Sequence, residues 1–344
     1  MAYPKPLSEK SIRKMYDESG LTDEKIVFLR NLFEGAAFLY GVIPMEELWD
    51  VYKELSEKTK TVKLQKKDLF AFSSIARREE HDYYIYEIDE LYTEEKRTDK
   101  DRFLILKEIM NGARIDVFYN LAEMQAGKPY YVPENLAEIK GHVVTEQERK
   151  LVDYIGNLKA TSPVIRLKYN KEKTKPSPHQ GKKLKDFTYT SDDEDFEIRW
   201  LSGECEGGPK KPQEKKLREY LESIEGTFAE KIFRDFRFRI FTGWTQFMQE
   251  IKYFMDSLNE VGVEFSMEEA NDLLSMIQDF SNNSHLYINR GWTPMELSDF
   301  ERKMNPGPQT ISFGPGIMQA VKEGKISLEE LKKQAEAMGL KVKL

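Results

Sequence analysis

The sequence predicts a mainly α-helical, multi-helix assembly with small β-hairpins and a winged-helix-like N-terminal unit. Apolar residues recur every three or four positions through most of the chain, the spacing of one helix face. Helix-start chemistry recurs as well. Thr145-Glu146-Gln147-Glu148 and Ser266-Met267-Glu268-Glu269 both have capping-box spacing. Between Asn31 and Thr93, helical stripes precede a tyrosine-rich run of period two, which is winged-helix order.

Taken in order, Ser8 caps a short helix to Glu18 that turns Ile12, Met15 and Tyr16 inward. Asp23 caps a long helix whose stripe is Ile26, Leu29, Leu32, Phe33, Ala36, Ala37 and Leu39, with Gly41 at its end. Pro44 suits the first turn of the next helix, which buries Leu48, Val51, Tyr52 and Leu55. A third runs from Lys66 to Glu80 with Leu69, Phe70, Phe72, Ile75 and Ala76 inward. Tyr84, Tyr86 and Ile88 alternate as a strand, Glu90 turns, and Leu91-Tyr92 return. The charged run from Thr93 to Arg102 is expected to be exposed. Phe103, Leu104, Leu106, Ile109 and Met110 then read as a helical stripe, as do Ile115, Phe118, Tyr119, Leu121, Ala122 and Met124. Tyr130-Tyr131-Val132-Pro133 reads as extended, because a residue before proline disfavours the α region. A short helix over Glu134–Lys140 and a helix after Thr145, with Leu151, Val152, Tyr154, Ile155 and Leu158 inward, close residues 1–158, a helical domain with the winged-helix-like unit at about 24–93.

Residues 159–211 read as a charged linker. A basic block through Lys185 precedes an acidic one, and Val164–Tyr169 and Phe196–Leu201 are candidate short strands. A second helical region spans 212–304. Its stripe from Phe233 to Leu258 reads as one long helix, kinked at Gly243, despite the strand-like FRDFRFRIF. A helix from Met267 to Phe280 and a short one from Pro294 to Phe300 follow. The final region, 305–344, reads as a helical hairpin, Gly316–Glu323 and Ser327–Gly339.

Composition narrows the function classes. The 344 residues carry 33% charged side chains and a net charge of −7, an acidic surface that gives no general attraction for nucleic acid. One cysteine, Cys205, excludes an intrachain disulfide framework. The start, MAYPKPLSEKSIRK, lacks the apolar core of a secretory signal, and no run reaches membrane-span length. These features predict a cytoplasmic protein with no membrane partner.

In a nucleic-acid reading, the Lys66–Glu80 helix enters the major groove and the hairpin touches the backbone. The cations for it are Lys66, Lys67, Arg77 and Arg78, with Lys171, Lys173, Lys175, Lys182, Lys183 and Lys185 from the linker. Against it stand Asp68, Glu79 and Glu80 on the helix and Glu87, Asp89 and Glu90 on the wing, because carboxylates repel phosphate. The basic block also neutralises its own acidic neighbour, as a solvated loop does.

Two stretches, Leu121–Pro133 (LAEMQAGKPYYVP) and Ser284–Leu297 (SHLYINRGWTPMEL), resemble a group of uncharacterised proteins from Gram-positive gut bacteria. That group often ends in a cysteine-rich zinc motif of the SEC-C type. With one cysteine, this chain has no such knuckle, so the resemblance implies no metal here.

No catalytic motif stands out. Glu79-Glu80-His81-Asp82 is the densest acid-histidine cluster, a candidate acid/base or metal site or simply a solvated helix end. The acidic neighbours of Cys205 raise its pKa, the wrong direction for a nucleophile. His285, Tyr287, Arg290 and Trp292 mix aromatic, cationic and hydrogen-bonding groups in a turn; they read as a recognition surface or as a tertiary lock. The reading that follows is a non-enzymatic binding or regulatory protein with a protein partner and no cofactor. DNA or RNA binding and an unrecognised hydrolase are the alternatives.

Overall fold

The computed structural model describes residues 3–92, 101–110, 115–159, 181–186, 227–260, 262–304, 309–312, 317, 321, 327–337 and 340–343. It is mainly helical, with a small antiparallel sheet of three strands and a parallel pair. Two compact units divide the chain, Met1–Pro294 and Met295–Leu344.

The first unit opens with α1 (Glu9–Ser19), whose Ser8 cap accepts the Ser11 N–H at 3.4 Å. α2 (Asp23–Tyr40) follows; Thr22 rather than Asp23 caps it. α2 is the central element. Leu29, Leu32, Phe33, Ala36, Ala37 and Tyr40 are all fully buried along it. It passes so close to a 3-10 turn at Leu136–Glu138 that a Cβ on Gly35 would lie 1.9 Å from the Leu136 carbonyl oxygen. Glycine is the residue that allows this approach.

β1 (Val42–Pro44), α3 (Met45–Lys58), α4 (Lys66–Ala76) and β2 (Tyr83–Glu87) come next. The returning strand is β3 (Arg102–Leu106), and sheet order is β1-β3-β2. Tyr84 faces Ile105 and Ile43 faces Leu104. The element order α2-β1-α3-α4-β2-β3 is that of a winged helix.

Two expectations are corrected here. Leu91-Tyr92 do not return as a strand; Ile88–Leu91 form a helical turn, α5, started by the Glu90 carboxylate on the Glu87 N–H at 2.8 Å. The stripe at Phe103–Met110 is not one helix but β3 followed by α6 (Lys107–Met110). Leu104, Ile105 and Leu106 are all buried, so the strand is covered on both faces and loses the alternation that would have marked it.

α7 (Ile115–Gln125) and α8 (Glu146–Asn157, capped by Thr145) lead to α9 (Phe228–Thr242), α10 (Phe247–Glu260) and α11 (Met267–Asn283, capped by Ser266). The long helix expected over 228–258 is two helices. Gly243 takes a left-handed conformation at φ 60° and ends the first. α8 packs on both α9 and α11, so elements from the two expected helical regions share one core. Its rings interlock: Phe236 stacks on Phe254 at 4.3 Å and Phe233 meets Phe280 edge-on at 5.1 Å. Each ring so buried contributes roughly 1.5–3 kcal/mol from area alone.

The second unit holds α12 (Pro294–Met304, beginning at the preceding unit's last residue), β4 (Gln309–Ser312), α13 (Leu328–Ala337) and β5 (Leu340–Lys343). β4 and β5 pair in parallel, Gln309 opposite Leu340. The second helix of the expected hairpin stands as α13, with strands not expected from the sequence on either side of it; of the expected 316–323 helix, only 317 and 321 are described, both helical. The candidate strands at 164–169 and 196–201 lie outside the described residues.

Candidate functional site

The cations expected on the winged helix fare differently from one another. Arg77 is buried. Its Nη1 lies 2.5 Å from Glu87 and its Nη2 2.8 Å from Glu90. Arg102, also buried, reaches Glu87 at 3.5 Å and donates to the Ser73 and Ser74 hydroxyls at 2.9 and 2.7 Å. This cluster fastens α4 to the loop end of the β2–β3 pair, so Arg77 cannot meet phosphate, a correction to its expected role. Lys66 pairs with Glu46, while Lys67 and Arg78 remain exposed. From the linker, Lys171, Lys173 and Lys175 lie outside the described residues. Lys182 and Lys185 are exposed, and Lys183 donates to Asn157 at 3.1 Å. The turn carrying them packs on α8 and α9.

The acid-histidine cluster borders an open groove of about 930 Å³ between α1, α2 and the turn after α4. Glu79 accepts from the Tyr16 hydroxyl at 2.6 Å and from Arg30 at 2.9 Å, and His81 Nε2 lies 3.4 Å away. Burial alone would raise the Glu79 pKa. The His81 ring beside it, the Tyr16 donor and the Arg30 charge outweigh it and hold the carboxyl below its ordinary value. A carboxylate saturated and held low is a poor proton acceptor near neutrality. Its work here is to clasp α1 to the rest of the unit. Among the described residues no group of three histidine, cysteine or acidic side chains is placed to hold a metal.

The turn with His285, Tyr287, Arg290 and Trp292 forms the third place. Tyr287 is buried and meets Phe241 edge-on at 5.3 Å, so it is not part of any surface. The other three converge on residues 128–132. His285 stacks on Tyr131 at 5.0 Å, and Trp292 tilts against the same ring at 5.0 Å. Arg290 sits over Tyr130 at 4.3 Å and pairs with Glu47 of α3 at 3.1 Å. Tyr130 donates to the same carboxylate at 2.5 Å; burial, then that carboxylate, raises its pKa. His285 Nδ1 and the Gly291 carbonyl are 2.6 Å apart, which makes Nδ1 the protonated nitrogen.

An irregular segment must satisfy its backbone somewhere. Here the carbonyls of Lys128 and Pro129 accept from Arg290 and the Trp292 indole at 2.8 and 3.1 Å. Those of Tyr131 and Val132 accept from Tyr40 and Lys58 at 2.8 and 2.9 Å. Gln125 binds the Tyr40 and Tyr287 carbonyls at 2.8 Å each. The two stretches singled out in the sequence thus pack on each other and on the winged helix. Their half-exposed rings form one rim of Tyr131, His285 and Trp292 on a rigid base. Sequence reasoning missed Glu47, Gln125, Lys128 and the Arg102–Glu87 pair. Gln125, a polar residue ending an apolar stripe, was the available sign of a buried amide.

No family model, curated protein or solved structure matches this chain.

Proposed function

We propose that this is a non-enzymatic cytoplasmic binding or regulatory protein whose winged-helix unit serves protein contacts. The observation that carries the reading is the state of Arg77. One of the two arginines that follow α4, Arg77, is held by Glu87 and Glu90 inside the fold, while its neighbour Arg78 is exposed. Lys66 is likewise paired with a carboxylate. The outer side of α3 adds Asp50, Glu54 and Glu57 against Lys53 and Lys58, which pair with the first two at 2.7 and 2.6 Å, so it offers a duplex backbone no net positive charge. Among the described residues no helix is long and apolar enough to cross a membrane.

Gel-shift titration with duplex DNA and with RNA, from 50 to 200 mM salt, tests it. The expected result is no shift beyond weak, sequence-independent binding. A strong shift with a steep salt slope, lost when Lys67, Arg78 and Lys182 are neutralised, overturns it in favour of nucleic acid. That second reading is favoured by one observation, the exposure of those three cations.

A further inference from the structure

β2 is one of the two edge strands of the sheet, because the order is β1-β3-β2. An edge strand presents unpaired N–H and C=O groups that template pairing with another chain. Two of the outward N–H groups of β2 are occupied by side chains. Glu87 N–H donates to Glu90, a near neighbour in sequence. Ile85 N–H donates at 3.0 Å to the hydroxyl of Tyr3, from the segment before α1.

Tyr3 does more than supply one acceptor. Its ring lies 4.7 Å from Tyr84 and 5.0 Å from Tyr86, the outward-facing residues of β2, and the Arg77 guanidinium stands 5.9 Å from its centre. The ring thus fills a cradle of two tyrosines and a fixed cation, with the edge amide at its floor. Tyr3 precedes Pro4, which holds it extended. The segment is otherwise lightly attached. Lys5, Pro6 and Leu7 are exposed, and its other backbone bond to the unit is Leu7 N–H to the Arg78 carbonyl at 2.9 Å.

We infer that the β2 edge with its Tyr84–Tyr86–Arg77 cradle is a docking site for an extended tyrosine-proline segment of a partner protein, occupied in this structure by the chain's own Tyr3. The inference rests on the protein-contact reading and gives its partner a chemistry. The seated segment is the model of the ligand: an aromatic phenol reaching an edge amide, followed by a proline that needs no hydrogen-bond acceptor. Because the chain's own tyrosine competes, the apparent affinity for an outside segment is reduced by the fraction of molecules in which the cradle is vacant.

The test is a fluorescence-anisotropy titration of a labelled peptide of residues 1–9 against the full chain, as wild type and as Tyr3→Ala. Tyr3→Ala is expected to bind it at least about tenfold more tightly than wild type. The peptide carrying its own Tyr3→Ala is expected to bind neither. Equal binding to both proteins, or equal binding of both peptides, overturns the inference. Should Tyr3→Ala fail to fold, the full-length Tyr3→Phe variant replaces it. There the Ile85 amide is expected to exchange with solvent at least about tenfold faster than in wild type, while the Tyr84 amide is unchanged. An unchanged Ile85 rate overturns the inference. Duplex DNA titrated in parallel separates the two failures. Steeply salt-dependent DNA binding defeats the protein-contact reading itself, whereas absent peptide gain without DNA binding defeats only the edge site.

Discussion

At the scale of single residues, the polar groups that look reactive in sequence are the ones the fold has tied down. Arg77 is the clearest case. Replacing it with alanine takes the cation from the largely enclosed Glu90 and leaves Glu87 to Arg102 at 3.5 Å, and breaking one side of a buried pair costs about 3–5 kcal/mol. Urea unfolding of Arg77→Ala is expected to show that loss, far above an exposed Arg78→Ala control. His142 gives a pH signature. Burial lowers its pKa below 6.5; the Glu148 contact at 2.7 Å opposes this and the nearby Arg237 adds to it. The unfolded chain therefore binds the proton first. Stability is full above about pH 6.5 and falls as pH drops from there towards the lower folded value. His142→Asn is expected to flatten that limb of a stability–pH curve between pH 7 and 5, while the limb below about pH 4.5, to which the lowered Glu148 contributes, persists. The Tyr83 hydroxyl is buried with no hydrogen-bond partner among the described residues. Tyr83→Phe is expected to be neutral or slightly stabilising on denaturation, because it removes a desolvated group and keeps the ring on His81.

At the scale of elements, helices were legible and the sheet was half legible. The caps at Ser8, Thr145 and Ser266 and the stripes of α2, α3, α4, α8 and α11 stand in the structure where spacing put them. β2 kept its alternation because one face is buried and the other only partly covered. β3 lost it under two covered faces, and β1 is too short for any period to register. The α9–α10 break was hidden for another reason. Both helices bury the same kind of residue at the same spacing, and only the four residues 243–246, opened by the left-handed backbone at Gly243, separate them. A Cβ there would stand 2.8 Å from Met124 Sδ and 2.9 Å from Ile288, in a backbone that side chains rarely adopt. Gly20 has a similar φ with nothing within 4 Å. Gly20→Ala is expected to lose about 1–2 kcal/mol for the backbone alone, and Gly243→Ala measurably more, the difference in urea midpoints reporting the packing around Met124. The rim of Tyr131, His285 and Trp292 was legible only as two separate aromatic turns, because nothing local tells a loop which distant loop it will meet.

At the scale of the molecule, charge and stripe spacing mark two helical regions with a linker between them, while packing makes residues 1–294 one unit. The reason lies in what α8 buries. Leu151 and Ile155 are fully enclosed, α8 packs on α9 and α11, and Glu148 receives Arg237 from α9. The segment 128–132 depends in the same way on later residues: two of its carbonyls accept from Arg290 and Trp292, and Gln125 bridges Tyr40 to Tyr287. A fragment of residues 1–158 would strand those side chains and carbonyls together, and unmade buried hydrogen bonds cost more than made ones contribute. That fragment is expected to lack a sigmoidal thermal transition and to bind a hydrophobic dye, whereas in the whole chain circular dichroism and tryptophan fluorescence report one coincident melt of the larger unit. A fragment that melts cooperatively near the full-length midpoint would show that the winged-helix half carries its own core and that the contacts through α8 are a docking of two finished domains.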